Sequence, residues 1–344
     1  MGSLLQYGGL TTKIRAMKGQ LITTEEFKRL AELTSVSEFV DNLKKRKSYQ
    51  DIFEDIEAAD IHRGNLEKLL MYGIYRDFSK IYRFSNLGQR KFLKLYFIKY
   101  EVSIIKRAIR GLNYDASQSY YDKAEVVFTE YSEIDISKVY DATTIEGIIE
   151  ALKGTIYYDP LKQVLDYAEK STFDYEMALD MFFFKYVWKK RKQFKGSELS
   201  SISDCIGSEI DSLNILWIYR AKKYYHLDNT SIYNVIIPIS FHIKKEQIAA
   251  LVDAGDVNDF IAIVHKTTFG KYLDSNESNN ESIDKSYKKV ISKLNNKYFK
   301  LNPYSLACMN AYLHDKNEEI KKLITIAESI RYGYKSDAII AEIL

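Results

Sequence analysis

Proline is nearly absent from this chain. Only 3 Pro and 15 Gly occur among 344 residues, while Leu, Ile, Lys, Glu and Ala are plentiful. Few breakers over such a length exclude a loop-rich or turn-rich fold and favour long helices. The two cysteines, Cys205 and Cys308, are too few and too far apart for a disulfide framework or a zinc knuckle. A large excess of charge of either sign is missing too: 50 Lys and Arg stand against 47 Asp and Glu, a net charge of +3. A protein whose main partner is nucleic acid is expected to be far more basic. No uninterrupted apolar run reaches membrane-spanning length. The most hydrophobic stretch, Met177–Trp188, is broken by Asp180 and Lys185. No secretory signal opens the chain, so Asn276 and Asn280, each in an Asn-Glu-Ser sequon, are expected to stay unglycosylated in a cytoplasmic protein.

What the chain does contain is a repeated pattern. Ile206–Tyr225 reads as one amphipathic helix, with Ile210, Leu213, Leu216 and Tyr219 on its apolar face. It ends in Arg220-Ala221-Lys222-Lys223, and Arg15-Ala16-Met17-Lys18 and Arg107-Ala108-Ile109-Arg110 end two similar segments upstream. The segments after the three copies align without gaps at offsets of 109 and 221 residues. Phe27 maps to Ile136 and Ile248, Leu30 to Val139 and Leu251, Phe39 to Ile148 and Phe260, and Leu43 to Leu152 and Val264. Tyr49 maps to Tyr158, with Phe269 one residue early in the third copy. The matched apolar positions step by three or four, the period of a helix. Three copies of about 110 residues are therefore expected, at 1–87, 88–203 and 204–344.

The expected helices are 4–19, 24–47 (after a Thr23-Thr24-Glu25-Glu26 start signal) and 60–84 in the first copy. In the second they are 88–110, 135–152 and 160–195; in the third, 205–225, 243–266 and 283–300. Asn113–Lys123 and Asp274–Asp284 read as loops. Beyond Pro303, a helix Ser305–Arg331 closing at Gly333 and a short helix Ser336–Leu344 complete the chain. The long one carries Glu319-x-x-x-Leu323, which echoes Asp211-x-x-x-Ile215 and Glu101-x-x-x-Ile105, as a fourth copy of the organising helix would. Nothing obliges a strand, so the fold class is all-α.

Chemistry is sparse. Neither a Walker phosphate loop nor a dinucleotide fingerprint is present, and the five histidines show no metal-ligand spacing. Asp51-Ile52-Phe53-Glu54-Asp55 is an acidic cluster of the kind that holds magnesium in helical prenyl diphosphate enzymes, but it lacks a facing partner. No catalytic residue, cofactor or metal is expected. Two basic clusters, Lys44-Lys45-Arg46-Lys47 and Lys189–Lys195, would suit phosphate contacts or, as ordinary helix C-termini, the helix dipole.

Taken together, Y-x7-R-A-x-K at Tyr7–Lys18, S-E-I-D-S-L-N-I-L at Ser208–Leu216 and N-P-Y-S-L…A-Y-L-x-x-K-x-E-E-I at Asn302–Ile320 resemble the C subunit of vacuolar-type rotary ATPases, the counterpart of the eukaryotic d subunit. The resemblance implies three similar helical bundles in a pseudo-threefold funnel. It implies a non-catalytic central-stalk adapter that transmits torque between the membrane rotor ring of proteolipids and the shaft subunits of the catalytic head. Membrane association would run through the ring, on the cytoplasmic side. On this resemblance Glu101, Arg110, Asp211, Asn214, Arg220 and Glu319 are expected to line the funnel for the shaft. The chain departs from the pattern at Ile104, where the central helix has Asn214. A helical-repeat scaffold binding proteins or nucleic acid through the basic clusters is the alternative.

Overall fold

The computed structural model describes residues 2–54, 56–57, 61, 63–112, 128–272 and 283–344. The expected loop at 113–123, nearly all of that at 274–284, both sequons and Asp55 lie outside the described residues. Those residues form helices and irregular connections only, so the fold is all-α.

In chain order the helices are α1 (Gly2–Lys18), α2 (Thr24–Ala31), α3 (Val36–Lys44), α4 (Gln50–Phe53), α5 (Arg63–Phe84) and α6 (Leu87–Gly111). Then come α7 (Ile136–Asp141), α8 (Ile145–Ala151), α9 (Tyr158–Leu165), α10 (Thr172–Lys190) and α11 (Gly196–Lys223). The last six are α12 (Asn229–Val235), α13 (Lys245–Asp253), α14 (Val257–His265), α15 (Ile283–Leu301), α16 (Leu306–Arg331) and α17 (Ser336–Ile343).

The chain divides into two compact units. One comprises the described residues of Met1–Lys91, Gln118–Ser132 and Tyr312–Leu344; the other comprises those of Phe92–Ser117 and Glu133–Ala311. In the first, α5 packs against α1 and α4, and α17 against α2. In the second, α11 is the hub, with α10, α13, α14 and α15 packed around it. Ile215, Ile218 and Tyr219 of α11 meet Leu251, Phe260 and Val264, all buried. Each such side chain contributes roughly 1.5–3 kcal/mol by leaving water.

The repeated apolar positions are interior in all three copies. Phe27, Ile136 and Ile248 are buried, as are Leu30, Val139 and Leu251; so are Phe39, Ile148 and Phe260, and Leu43, Leu152 and Val264. Three expected helices are each broken into two. Helix 24–47 stops after Ala31 and restarts at Val36, 135–152 restarts at Ile145, and 243–266 restarts at Val257. The reason is an N-cap at one repeat position. Ser35, Thr144 and Asp256 accept the N–H groups of Glu38, Gly147 and Asp259 through their side chains. A capping oxygen there is worth about 1 kcal/mol and stops the preceding helix from running through. The expected helix 160–195 also divides, into α9 and α10; at the start of α10 the Ser171 N–H donates to Asp174 at 2.7 Å.

At the far end α16 closes as the sequence announces. Gly333 has a positive φ of 71°; its N–H bonds Ile330, and the Tyr334 N–H bonds Ser329. That is the Schellman arrangement, which favours glycine at its left-handed position.

Candidate functional site

The polar positions that the repeat singled out lead to three buried carboxylates. Glu319 lies on α16, one turn beyond Lys316 and two beyond Tyr312, so the three share one helix face. Its carboxylate accepts the Ile22 N–H at 2.5 Å and the Tyr49 hydroxyl, and it pairs with Lys316 at 2.6 Å. Lys316 also donates to the Tyr49 oxygen at 3.0 Å, and Tyr312 donates to Asp77 at 2.6 Å. Arg76 completes the cluster by bonding Asp51, the Ser48 carbonyl and Asp77. Tyr49, Asp77, Tyr312, Lys316 and Glu319 are each at most 5% exposed. Burial and the Glu319 charge push the Tyr49 phenol well above its usual range, so it remains a donor.

Burial alone would raise the Asp77 carboxyl. Lys316, Arg76 and the Tyr312 hydroxyl outweigh it and hold the group below its ordinary value of 3.8. A carboxyl lowered by folding contributes stability above its unfolded pKa and loses it as pH falls through the folded pKa. Asp77→Asn is therefore expected to flatten the acid limb of stability below roughly pH 4. Melting temperature against pH for both proteins checks this, and parallel acid limbs would refute it.

In the second unit, Glu101 on α6 accepts the Tyr157 hydroxyl at 2.5 Å and the Glu133 N–H at 3.0 Å. Asp211 on α11 accepts three N–H groups, from Phe241 at 3.1 Å, His242 at 2.5 Å and Ile243 at 3.1 Å. Burial outweighs those three bonds and raises the Asp211 carboxyl above its usual range. One turn before it, Gly207 lets the Phe241 ring lie on the helix backbone, where an added Cβ would come within 2.4 Å of the ring. One turn after it, Asn214 bonds both backbone groups of Ile237, accepting its N–H at 2.8 Å and donating to its carbonyl at 2.9 Å. Pro238 cannot donate, and Asn214 secures the backbone beside it.

The three acids share one task. Ile22, Glu133 and Phe241–Ile243 lie just before α2, α7 and α13, the first helix of each repeated pair. In each case a carboxylate from the middle of a long helix accepts N–H groups of the lead-in, which would otherwise lack partners. Glu319 is 297 residues from Ile22, so the last long helix serves the first helix pair.

The structure revises one alignment. Tyr157, not Tyr158, is the counterpart of Tyr49: it is buried and bonds the acid, while Tyr158 is only partly buried, with Lys162 over its ring. The third copy has Phe269 at this place, which has no hydroxyl, and there Asp211 takes three N–H groups instead.

Of the six residues singled out from the sequence, Glu101, Asp211, Asn214 and Glu319 are at most 5% exposed and bonded within the chain. Arg110 and Arg220 are exposed, Arg110 being held by both carboxylate oxygens of Glu176. Both basic clusters disperse locally. Lys44 bonds the Ile56 carbonyl and Arg46 pairs with Glu26, while Arg191 stacks at 3.4 Å over Trp188. Asp51 of the acidic cluster pairs with Arg76. Among the described residues no group of three or more ligating side chains could hold a metal ion, and no helix is long and apolar enough to cross a membrane.

The fold and these carboxylates define an all-helical protein in which long helices hold the lead-ins of short helix pairs through buried acids. Residues 10–342 match the family model described as ATP synthase (C/AC39) subunit, and the chain belongs to that family. Among its relatives is the C subunit of the A-type ATP synthase of Pyrococcus abyssi, 25% identical, with 97% of this chain and 89% of the relative covered. Those of Thermococcus kodakarensis and Methanosphaera stadtmanae are 21% and 22% identical, covering 97% and 93% of this chain and 89% and 82% of theirs. The resemblance drawn from the three sequence motifs is thus borne out.

Proposed function

We propose that this chain is the non-catalytic adapter of the central stalk in an A/V-type rotary ATPase. In this reading it links the membrane rotor ring to the shaft of the catalytic head, on the cytoplasmic side, and transmits torque. The observation that carries the reading is the family match over residues 10–342. The buried carboxylates support it, because a torque-bearing part must not let its helices slide. Each acid fixes a short helix pair to a long helix through hydrogen bonds accepted by a buried carboxylate. The proposed architecture is three repeats, at 1–87, 88–203 and 204–344, arranged as a funnel.

Within this reading Arg110 and Arg220 meet the shaft directly, and Glu101, Asp211, Asn214 and Glu319 position the helices that carry the contact. Retention of rotor-ring, shaft and head subunits on the tagged chain from gently solubilised membranes, read by mass spectrometry, tests the assignment. Recovery of the chain without them would refute it. Arg220→Glu is expected to lose the shaft subunits from that complex by about tenfold, with the melting temperature of the isolated chain unchanged. Undiminished shaft recovery would remove Arg220 from the contact.

A further inference from the structure

The basic cluster Lys44–Lys47 sends one member somewhere its neighbours do not go. Lys47 lines a cavity of about 250 Å³ in the first unit, together with Lys13 of α1 and Lys80 of α5. Arg76, Asp77 and Lys316 form its inner wall, and Asp51 lies beside them. The cavity therefore gathers five cationic side chains and two carboxylates. Glu319, bonded to Lys316 from behind, offsets one further positive charge, which leaves an excess of two.

The inner wall is already satisfied. Arg76 bonds Asp51 and Asp77, and Lys316 bonds Glu319 and Tyr49. The rim is not. Lys80 reaches Asp77 only at 3.5 Å, and burial together with the Arg76 charge lowers its pKa despite that carboxylate. Lys13 and Lys47 are exposed and pair with no acid among the described residues. Like charges converging on a concave surface repel, and the low-dielectric walls strengthen the field they make. The volume lies below the roughly 300–1,000 Å³ of clefts that bury drug-sized ligands, so the missing counter-charge is small.

We propose that this cavity binds a phosphate-class oxyanion carrying at least two negative charges, gripped at its rim by Lys13, Lys47 and Lys80. The anion comes either as a free ion or as the terminal diphosphate of a nucleotide, and both present the same oxygens. Charge-assisted bonds from ammonium groups to phosphate oxygens are the strong class of hydrogen bond. The inference goes beyond the adapter reading and does not rest on it.

Isothermal titration of the full-length chain with inorganic phosphate, pyrophosphate and ADP, each at matched ionic strength in chloride, tests the site. Saturable one-site binding is expected, and the double variant Lys13→Gln/Lys47→Gln is expected to weaken it by about tenfold or more. Lys335→Gln, an exposed lysine away from the cavity, is expected to leave it unchanged. Both lysines of the double variant are exposed, so it is expected to fold, and an unchanged melting temperature verifies that. Pyrophosphate matching ADP would assign the diphosphate as the recognised group, whereas phosphate alone would assign the free ion; both outcomes support the site. No saturable binding of the three probes, or equal binding by the double variant and the wild type, would overturn it.

Discussion

Asp211→Ala is expected to lower the stability of the chain by about 3 kcal/mol or more. The substitution leaves the N–H groups of Phe241, His242 and Ile243 without their acceptor. A buried donor that loses its partner costs about 1–3 kcal/mol, and Ile243 is fully buried while the other two N–H groups are partly so. The effect should not stop at those bonds. The lead-in they secure sets where α13 starts, and α13 and α14 together cover the apolar face of α11. Asp211→Asn should fall between. Its single oxygen can still serve His242 and Ile243, but the amide nitrogen then faces the Phe241 N–H, donor against donor. Urea unfolding midpoints should therefore order as wild type, Asn, then Ala. An Ala midpoint within experimental error of the wild type would show that Asp211 does not hold the lead-in.

The second large effect concerns Lys316. The residue is 1% exposed, and its ammonium lies 4.4 Å from the centre of the Tyr49 ring and pairs with Glu319. Lys316→Met removes the cation and strands the buried Glu319 carboxylate without its partner. Breaking a buried pair in this way costs about 3–5 kcal/mol. Removing both charges is a different matter, because neither then needs solvation. The double variant Lys316→Met/Glu319→Gln should recover much of the loss. The Gln oxygen can still accept from Ile22 or from Tyr49. The coupling between the two sites, read from a double-mutant cycle in urea, is expected to exceed about 1 kcal/mol. Additive single effects would mean that the two residues act independently. Asp77 lies 3.9 Å from the same ammonium, so the Lys316 variant should also change the acid limb predicted for Asp77→Asn.

Much of this arrangement is legible in the chain before folding is considered. The low proline and glycine content gives long helices. The Thr23–Glu26 signal gives the start of α2, where Thr23 and Glu26 form a full capping box. Gly333 gives the end of α16. The offsets of 109 and 221 residues find apolar positions that are interior in every copy, because a helical face must repeat its spacing to repeat its packing. The same offsets carry a signal that an apolar reading passes over. Ser35, Thr144 and Asp256 stand at equivalent places, and each divides one expected helix into two. The Ser35-x-x-Glu38 pattern announces such a start; Thr144 and Asp256 announce it less plainly, with Gly147 and Asp259 at that spacing.

The tyrosine was misplaced for a related reason. A fixed offset assumes equal length throughout the repeat, and the second copy reaches its aromatic one residue early, as the third does. Burial and the hydroxyl bond to Glu101, neither visible in the spacing, distinguish Tyr157 from Tyr158.

By itself, then, the sequence determined the helical class, the apolar positions that recur at offsets of 109 and 221 residues, and the shared spacing around Glu101, Asp211 and Glu319. Those properties follow from local spacing along one chain. The work of the three acids was decided only by tertiary structure. A carboxylate on a helix can face a partner, the solvent or a backbone N–H, and spacing is the same in all three cases. Which one obtains depends on what segment the fold brings within hydrogen-bond reach, and for Glu319 that segment begins 297 residues away. The cationic cavity has the same origin, since Lys13, Lys47, Arg76 and Lys316 share no local pattern and meet only because α1, α5, α16 and the connection after α3 converge.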